Sequence, residues 1–402
     1  MDKIEEILTR GVANVIPSKQ ALKKLLKDKK RLDIYFGIDP TATRIHLGNA
    51  VPLKKLQAFA ELGHSVTFLI GDFTALIGDT SDKDSERPVL TTGQIEENFK
   101  TYKKQAEKIL DFSKAKVRFN SEWLSKLSFS EIVKLCQHFS FGDFAGRELI
   151  RKRLDAGKYV GLHEALYPVM QGYDSYFLDT DVQLGGTDQT FNMQTGRSLQ
   201  KDLRNKESFI IANEFLTGTD GRKMSKSWGN TIWLDDEPND MYAKTMAITD
   251  GLILQYFTLA TNTPLSEISA IESQLKSDAN PMLIKKQLAF RIVSELHGKE
   301  KANSAQENFE NTVQGNQLPP SIPTISLLRS FVSTASVLEV LIKSNTASSK
   351  SEAKRVIEQG GVRVNKKIIS DPNEPFALYV KNGEAIIQKG KTTFIKIKPV
   401  PI

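Results

Sequence analysis

A short loop near the middle of the chain concentrates positive charge between glycines. Residues 218–230 read GTDGRKMSKSWGN, so Arg222, Lys223 and Lys226 are opposed within the loop only by Asp220. Cations on a segment that glycines allow to bend can follow an anion whose charge grows during a reaction. The loop therefore indicates a substrate that carries phosphate. Its central pentapeptide, KMSKS, taken in isolation is more often a solvated basic surface loop.

A second motif lies about 180 residues earlier, where residues 45–52 read IHLGNAVP. Pro52 lacks an N–H group, so we expect it in the first turn of a helix. His46, Gly48 and Asn49 then lie where that helix begins. Free backbone N–H groups and the helix dipole attract phosphate to such a site, and His46 can donate a hydrogen bond to a phosphoryl group. A capping histidine and a turn glycine explain this stretch equally well when it is taken alone.

The segments that must position these motifs alternate between strand and helix. Alternating or continuous apolar runs predict strands, and longer amphipathic runs between them predict helices. The predicted strands are 32–38, 66–72, 116–120, 182–186 and 209–213, and the helices between them include 93–110 and 189–203. This order predicts an α/β fold with a Rossmann-type parallel sheet covered on both faces, whose phosphate ligands bind at the carboxyl ends of the strands.

The chain changes character twice after this alternating region. We predict a catalytic domain over residues 1–236, an all-helical domain over 237–312, a proline-containing linker over 313–326 and a small α+β domain over 327–402. The last domain holds 13 Lys and Arg against 6 Asp and Glu, which accounts for the whole net charge of +7. This asymmetry favours a polyanionic partner, with a solvated basic tail as the alternative.

Composition argues against several classes of protein. No apolar run approaches the roughly 20 residues that span a bilayer, and the first residues do not form a secretory signal. The single cysteine, Cys136, excludes an internal disulfide and a cysteine-cluster metal site. We therefore expect a soluble, cytoplasmic protein that does not associate with membranes.

The two motifs together resemble the paired signature of class I aminoacyl-tRNA synthetases, because HLGN follows the first strand of a parallel sheet and KMSKS comes much later. The likeness narrows to the tyrosyl-tRNA synthetase family over nearly the whole chain. It rests on YFGIDPTATRIHLGN (35–49), LIGDFTALIGDTSDKDSER (69–87), YPVMQGYDS (167–175) and LGGTDQ (184–189).

This resemblance implies an ATP-dependent ligase. L-tyrosine would react with ATP, whose phosphates carry Mg²⁺, to give tyrosyl-adenylate and pyrophosphate, and the tyrosyl group would pass to the 3′ end of tRNA(Tyr). The family also implies no protein-bound metal. It implies a homodimer, with the interface in a connective insertion over roughly residues 121–165. Rejection of phenylalanine without an editing step is an established property of this family rather than a prediction from this sequence.

The resemblance assigns a tyrosine-binding set. Three of its members, Tyr167, Gln171 and Asp174, are spaced i, i+4, i+7 and so share one helix face. From this spacing alone, a polar stripe that faces solvent is the more common explanation. By resemblance, the phenol hydroxyl contacts Tyr35 and Asp174, the α-ammonium group contacts Asp79, Tyr167 and Gln171, and the carboxylate lies near Gln189.

The resemblance also assigns residues to ATP and to catalysis. ATP binding falls to Gly37, Asp39, His46, Gly48, Asn49, Gly186, Asp188 and Lys226, of which Asp188 and Gly186 would lie near the adenylate ribose and base. Stabilisation of the activation step falls to His46, Asn49, Lys223 and Lys226, together with Lys83 and Arg87 of a second loop. A flexible charged surface loop is the alternative explanation for that last pair.

Two residues depart from the family pattern. Asn49 stands where most members carry a second histidine, so we assign it binding through its amide and no proton transfer. Phe36 stands where some relatives carry a small residue beside the ribose.

The basic C-terminal region resembles the S-four type of RNA-binding domain. Ser349 and Glu352 form a capping-box pattern at the start of a short helix that ends at a glycine pair. The cations of this region would bind RNA mainly through backbone charge and shape. They are Lys350, Lys354, Arg355, Arg363, Lys366 and Lys367.

Three alternatives remain open from the sequence. A tryptophan–tRNA ligase shares the sheet domain, but Tyr35 and the basic tail favour tyrosine. An RNA-binding relative that lost amino-acid activation is opposed by Lys223, Lys226, Asp79 and Asp174. A small-molecule nucleotidyltransferase would have no use for the tail.

Overall fold

The structure is a computed structural model that describes residues 2–28, 31–79, 91–224, 228–277, 279–314, 322–347, 349–390 and 393–401. Lys83, Arg87 and Lys226 lie outside these described residues, so their assigned roles stay predictions. The chain packs as two compact units. The first combines residues 1–236 with 247–296, and the second combines 237–246 with 297–402.

Eleven strands are found in the described part of the chain, and they form two sheets. The first sheet contains β1 (Val12–Ile16), β2 (Asp33–Ile38), β3 (Ser65–Ile70), β4 (Ala115–Phe119), β5 (Val182–Gly186) and β6 (Phe209–Asn213). The second sheet contains β7 (Thr324–Leu328), β8 (Val362–Val364), β9 (Lys367–Ile369), β10 (Ala385–Lys389) and β11 (Thr393–Val400).

The described helices connect and cover these sheets. From the N-terminus they are α1 (Lys3–Ile7), α2 (Lys19–Asp28), α3 (Leu47–Glu61), α4 (Thr92–Ala106), α5 (Ser121–Leu124), α6 (Phe129–Cys136), α7 (Phe141–Ala145), α8 (Glu148–Asp155), α9 (Leu162–Phe177) and α10 (Thr190–Arg204). They continue with α11 (Pro238–Met246), α12 (Ile253–Ala260), α13 (Leu265–Lys276), α14 (Pro281–His297), α15 (Lys299–Phe309), α16 (Arg329–Thr334), α17 (Val337–Lys343) and α18 (Lys350–Glu358). None of these helices has the length and apolar character needed to cross a bilayer.

The first sheet confirms the predicted α/β fold. Its strand order is β1-β6-β5-β2-β3-β4, and neighbouring strands from β6 to β4 run parallel. All five predicted strands form, and β5 and β6 have the predicted bounds. The sheet gains an edge strand that the sequence analysis missed, because β1 pairs antiparallel with β6. The carboxyl ends of β2, β3, β5 and β6 therefore open at the same edge.

Helix α3 places the HLGN motif at that edge. His46 is the N-cap, and the helix begins at Leu47, as predicted. The prediction for Pro52 was wrong, because this proline is the sixth residue of the helix and not part of its first turn. A proline at this position removes only the helical hydrogen bond to the carbonyl of Gly48, four residues earlier. The helix continues because its buried side chains, such as Leu53 and Leu56, pack in the core.

The second unit contains the five-stranded sheet, in the order β7-β11-β10-β8-β9. Its core is apolar and includes Leu341, Ile357, Phe376 and Ile387, all fully buried. Helix α18 begins as predicted, since the N–H of Glu352 donates to Ser349 Oγ over 3.2 Å. The Glu352 carboxylate lies 2.6 Å from Lys389 Nζ, which ties the helix to β10.

Candidate active site

A cavity of about 940 Å³ opens in the first unit at the carboxyl edge of the sheet. Its lining includes every described residue that the sequence analysis assigned to tyrosine, ATP or activation: Tyr35, Gly37, Asp39, His46, Gly48, Asn49, Asp79, Tyr167, Gln171, Asp174, Gly186, Asp188, Gln189 and Lys223. These residues lie on β2, β5, α3 and α9, on the segments that follow β2, β3 and β5, and on the loop at 218–224. Phe36 lines the same cavity.

Asp174 lines this cavity and is 3% exposed. Its Oδ1 accepts a hydrogen bond from Trp123 Nε1 at 2.7 Å, and its Oδ2 accepts one from Asn120 Nδ2 at 3.2 Å. Burial raises the pKa of this carboxyl to about 8, and the neighbouring carboxylates of Asp39 and Asp72 act in the same direction. The raised pKa therefore favours a neutral, protonated Asp174 near neutral pH.

Tyr35 is the second residue assigned to the substrate hydroxyl. Its own hydroxyl donates to Gln183 Oε1 at 3.2 Å, and Gln183 Nε2 donates to the carbonyl of Met193 at 2.9 Å. This chain of bonds orients the Tyr35 ring. Burial raises its pKa, with the charge of Asp174 adding to the effect. Both assigned groups are therefore held in position by residues behind them.

The sequence analysis missed three of those supporting residues: Asn120, Trp123 and Gln183. Asn120 and Trp123 lie more than 50 positions before Asp174, and no local spacing connects them to it. Gln183 was visible as a polar residue in the buried strand β5, where a side chain without a partner is costly. That signal could have identified it.

The polar face of α9 points into the cavity. Tyr167 and Asp174 are 7% and 3% exposed, so the alternative of a stripe facing solvent is wrong. The opposite side of the helix packs in an apolar cluster through Met170 and Tyr173, together with Trp123. The predicted division of this helix into a polar and an apolar face is therefore present.

The carboxylates assigned to the α-ammonium group and to ATP already accept hydrogen bonds. Gln189 Nε2 donates to Asp79 Oδ2 at 2.7 Å, and the Tyr167 hydroxyl donates to Asp39 Oδ2 at 2.9 Å. Gln171 Oε1 accepts a hydrogen bond from Asn192 over 3.0 Å. An ammonium group that enters this region finds oxygen acceptors that are already oriented.

His46 caps α3 and lies against the next residues of its own motif. A side chain at Gly48 would come within 2.9 Å of His46 Nδ1, so glycine is needed here to make room for the imidazole. Burial, followed by the charge of Lys223, lowers the pKa of His46 to about 4. The imidazole is therefore neutral near pH 7. Its buried Nδ1 has no hydrogen-bond partner within the described residues.

The HLGN motif and the basic loop are held together by backbone pairing. Leu47 N–H donates to the Ile232 carbonyl and Leu234 N–H donates to the Ile45 carbonyl, both over 2.9 Å. One of the paired segments, residues 232–234, lies just after the basic loop, and the other, residues 45–47, leads into α3. It explains how two motifs that are distant in sequence line one cavity.

Arg44 is a further cation at this cavity that the sequence analysis missed. It pairs with Asp235 and Asp236 at 2.7 and 2.9 Å, and its guanidinium lies 5.0 Å from the centre of the Trp233 ring. Its position two residues before His46 was the available signal.

The described part of the basic loop is a tight hairpin. Gly218 N–H donates to the Arg222 carbonyl over 2.7 Å, and the amide of Asn230 donates to both Asp220 (2.7 Å) and the Lys223 carbonyl (3.1 Å). A side chain at Gly218 would overlap Asn230, so this glycine permits close packing. Lys223 is thereby presented to the cavity from an ordered base.

A second basic surface lies in the other unit. The six cations assigned to RNA are all exposed, on α18 and on the β8–β9 hairpin. Lys367 lies 3.3 Å from Glu374, and Lys354 lies 3.8 Å from Glu358, so two of the six have acidic neighbours. Exposed cations of this kind are suited to contact with a phosphate backbone.

Comparison with known proteins identifies the family. Residues 27–314 match the family model described as tRNA synthetases class I (W and Y), and residues 338–376 match the S4 domain. The tyrosine–tRNA ligase of Carboxydothermus hydrogenoformans is 42% identical over 98% of this chain and 97% of its own length. That of Thermotoga maritima is 38% identical over 98% and 96%.

The chain belongs to the tyrosine–tRNA ligases. Like other tyrosine–tRNA ligases, it is an aminoacyl-tRNA ligase, which takes tyrosine and ATP as substrates and carries an S4 domain for binding RNA. The names of these relatives favour tyrosine over the tryptophan alternative.

Solved structures agree with this fold. The tyrosyl-tRNA synthetase of Archaeoglobus fulgidus, complexed with L-tyrosine, superposes with a TM-score of 0.60, at 23% identity over 76% of this chain and all of that one. A C-terminally truncated mitochondrial tyrosyl-tRNA synthetase of Coccidioides posadasii gives a TM-score of 0.63, at 24% identity over 76% of this chain and 91% of that one. At these identities, the likeness bears on the fold of a tyrosine–tRNA ligase and not on individual residues.

Proposed function

We propose that the single cavity at the carboxyl edge of the first sheet carries out tyrosine activation. The observation that supports this proposal is the convergence in one cavity of every described residue assigned to tyrosine and to ATP. In this proposal Asp174 and Tyr35 recognise the phenol hydroxyl. Asp79, Tyr167 and Gln171 hold the ammonium group, while Gln189 lies near the carboxylate.

The ATP end of the cavity would supply positioning and charge. A tyrosine carboxylate oxygen attacks the α phosphorus of ATP, the bond to the bridging oxygen breaks, and pyrophosphate leaves with the electron pair. Negative charge grows on the β and γ phosphates, where Lys223 and Lys226 would stabilise it. Neutral His46 would donate a hydrogen bond to a phosphate oxygen, and Asn49 would contribute binding only.

Mg²⁺ would enter as part of the ATP substrate. Within the described ranges, no group of three or more His, Cys, Asp and Glu side chains is arranged to hold a metal ion. The ion would then be held by the triphosphate oxygens, which are the hard ligands that Mg²⁺ prefers. Its chemistry there is neutralisation of phosphate charge.

The second substrate would be tRNA(Tyr), bound in part by the exposed cations of α18 and the β8–β9 hairpin. The 3′-terminal ribose hydroxyl attacks the carbonyl of the adenylate, and AMP leaves. We propose the domain boundaries given above, with residues 237–312 as the anticodon-region domain and 327–402 as the RNA-binding domain. Because tRNA charging occurs where translation does, we infer a cytoplasmic enzyme.

We further propose that the enzyme is a homodimer. Among the described residues, fifteen large apolar side chains are exposed, and six of them fall within the 121–165 segment. These are Phe129, Val133, Phe141, Leu154, Tyr159 and Leu162, with Phe129 at 81% and Leu162 at 74% exposed. Such a concentration is typical of a protein interface. A second copy of this chain is the partner we propose for it.

ATP–pyrophosphate exchange, measured with each amino acid separately and without tRNA, tests the proposed activation site. We expect exchange with tyrosine alone. Exchange with tryptophan would move the substrate assignment to the sister enzyme, and no exchange with any amino acid would refute activation. Lys223→Ala should reduce the exchange, while Lys201→Ala, an exposed lysine near the far end of α10, serves as the control.

A further inference from the structure

A tryptophan lies exposed at the mouth of the active-site cavity, directly after the KMSKS loop. Trp228 lines the cavity and is 49% exposed, whereas Trp123 in the same unit is 3% exposed. A single exposed apolar residue needs no explanation on an ordinary surface. A large aromatic ring at the entrance to a cavity that is proposed to bind nucleotides does need an explanation.

The Trp228 ring is already partnered by a cation. The guanidinium of Arg222 lies 4.6 Å from the ring centre, and its own ion pair with Asp220 orients it. An indole ring with a guanidinium against it is the combination that proteins use to stack unpaired bases and hold the adjoining phosphate. Nearly half of the Trp228 surface remains open to receive such a base.

Arg222 and its neighbour Lys223 serve opposite sides of the hairpin. The two side chains have different partners. Lys223 Nζ lies 3.4 Å from Asp188 Oδ2 and 4.5 Å from the centre of the Phe215 ring, while Arg222 contacts Asp220 and Trp228. The hairpin therefore has an inner face, with Lys223, and an outer face, with Arg222.

The inner face belongs to the site proposed for ATP. A side chain at Gly186 would come within 2.9 Å of the Phe215 ring, so Phe215 and Lys223 lie beside the glycine and aspartate assigned to the adenylate ribose. The inference below rests on that proposed assignment. Since the site proposed for ATP lies beside Lys223, the exposed part of the Trp228 ring at the cavity mouth is available to the other nucleotide substrate.

We propose that Trp228, supported by Arg222, is the stacking platform for the 3′-terminal base of the tRNA. The transfer step requires the terminal ribose to enter this same cavity, so the attached base must lie at or near its mouth. That end of a tRNA is single-stranded, and its bases are free to stack on an aromatic ring. The positive charge of Arg222 complements the 5′ phosphate that joins this terminal nucleotide to the rest of the strand.

The variant Trp228→Ala in the full-length chain distinguishes a role of this ring in tRNA binding from a role in ATP binding. Stacking of one base on an aromatic ring predicts that kcat/KM for tRNA(Tyr) in aminoacylation falls by about 5- to 100-fold. KM for ATP and for tyrosine in pyrophosphate exchange without tRNA should stay within about twofold. Trp228→Phe, which keeps an aromatic ring, should restore most of the loss. Leu203→Ala removes another exposed apolar side chain, at the far end of α10, and controls for surface truncation.

A second measurement uses tRNA(Tyr) that lacks its terminal adenosine, as a competitive inhibitor of aminoacylation. The unchanged enzyme should bind intact tRNA more tightly than this shortened form, and Trp228→Ala should bind the two alike. A higher KM for ATP in exchange would place the ATP adenine on Trp228 and overturn the proposal. Unchanged tRNA kinetics in a folded variant that still performs exchange would also overturn it, and would leave the proposed activation site standing.

Discussion

Lys223 Nζ lies 3.4 Å from Asp188 Oδ2, so the first lysine of the KMSKS loop contacts the carboxylate that we assign to the adenylate ribose. This contact holds the cation beside Asp188 in the lining of the cavity. A ribose hydroxyl that donates to Asp188 would compete with Lys223 for the same oxygens. Nucleotide binding would thus favour release of the lysine toward the phosphates.

Replacing Lys223 with alanine should lower kcat of tyrosine activation by about 10²- to 10³-fold, the usual cost of removing one group that stabilises transition-state charge. KM for tyrosine should change little, because the proposed tyrosine contacts lie elsewhere in the cavity. Single-turnover formation of tyrosyl-adenylate measures this directly. A large rise in KM for tyrosine with kcat unchanged would show that Lys223 acts in ground-state binding instead.

The buried carboxyl of Asp174 should make stability depend on pH. Its folded-state pKa of about 8 lies above the ordinary aspartate value, so the folded protein holds this proton more tightly than the unfolded chain. Its contribution to stability is therefore fully present below about pH 4 and is lost as the pH rises toward 8, by roughly 1.4 kcal/mol for each pH unit. Urea denaturation without tyrosine should therefore show that the free energy of unfolding of the unchanged protein falls relative to that of Asp174→Asn as the pH rises across this range.

Asp174→Asn also tests the specificity assignment. The ratio of kcat/KM for tyrosine to that for phenylalanine in pyrophosphate exchange should fall by at least about fivefold, because a buried polar group left without its hydrogen-bond partner costs on the order of 1–3 kcal/mol. A variant that loses the pH dependence but keeps the full ratio would show that Asp174 is structural and does not read the hydroxyl.

Phe141→Glu should convert the proposed dimer into monomers. A charge placed on an apolar contact surface must be desolvated without a partner when the subunits meet. Analytical ultracentrifugation should find twice 45.0 kDa for the unchanged protein and 45.0 kDa for the variant. Leu283→Glu alters another exposed apolar residue, outside the 121–165 segment, and should leave the mass of the dimer unchanged. If the unchanged protein sediments as a monomer at micromolar concentration, the interface proposal fails.

A buried ion pair in the connective segment should contribute strongly to stability. Arg153 Nη1 lies 2.6 Å from Glu164 Oε2, and the two side chains are 3% and 1% exposed. Glu164→Gln leaves the guanidinium buried without its countercharge, which should cost about 3–5 kcal/mol of unfolding free energy.

An exposed ion pair on α8, the helix that carries Arg153, provides the comparison. Lys152 Nζ lies 2.9 Å from Glu148 Oε1, and the two side chains are 64% and 80% exposed. Glu148→Gln should leave the free energy of unfolding nearly unchanged in the same denaturation experiment, because solvent screens an exposed ion pair. Similar losses from both substitutions would contradict the assignment of the stability to burial.

The sequence predicted those parts of the site whose signal is local. Strands β5 and β6 are short apolar runs with glycine or polar residues at their ends, and the structure reproduces their predicted bounds. Strand β1 was missed because an antiparallel edge strand lies outside the strand–helix alternation that predicted the rest. The hydrogen bonds that orient Asp174 depend on how α9 packs against residues 120–123, and no spacing in the sequence encodes that contact.

The contact between Lys223 and Asp188 was also beyond the sequence analysis. Within the loop only Asp220 opposed the cations, and that residue pairs with Arg222. The second acid comes from the end of β5 and reaches the loop only because the pairing of residues 232–234 with 45–47 brings the hairpin over the strand ends.

Helix α11 determines where the chain can be shortened by protein engineering. It packs against α15, and the Tyr242 and Phe309 rings lie 5.5 Å apart, although more than 50 residues separate the two helices in sequence. A chain that ended after Leu296 would keep α11 but expose the buried ring of Tyr242 to water. An active fragment that lacks the RNA-binding domain should therefore end beyond Phe309, where both helices are retained.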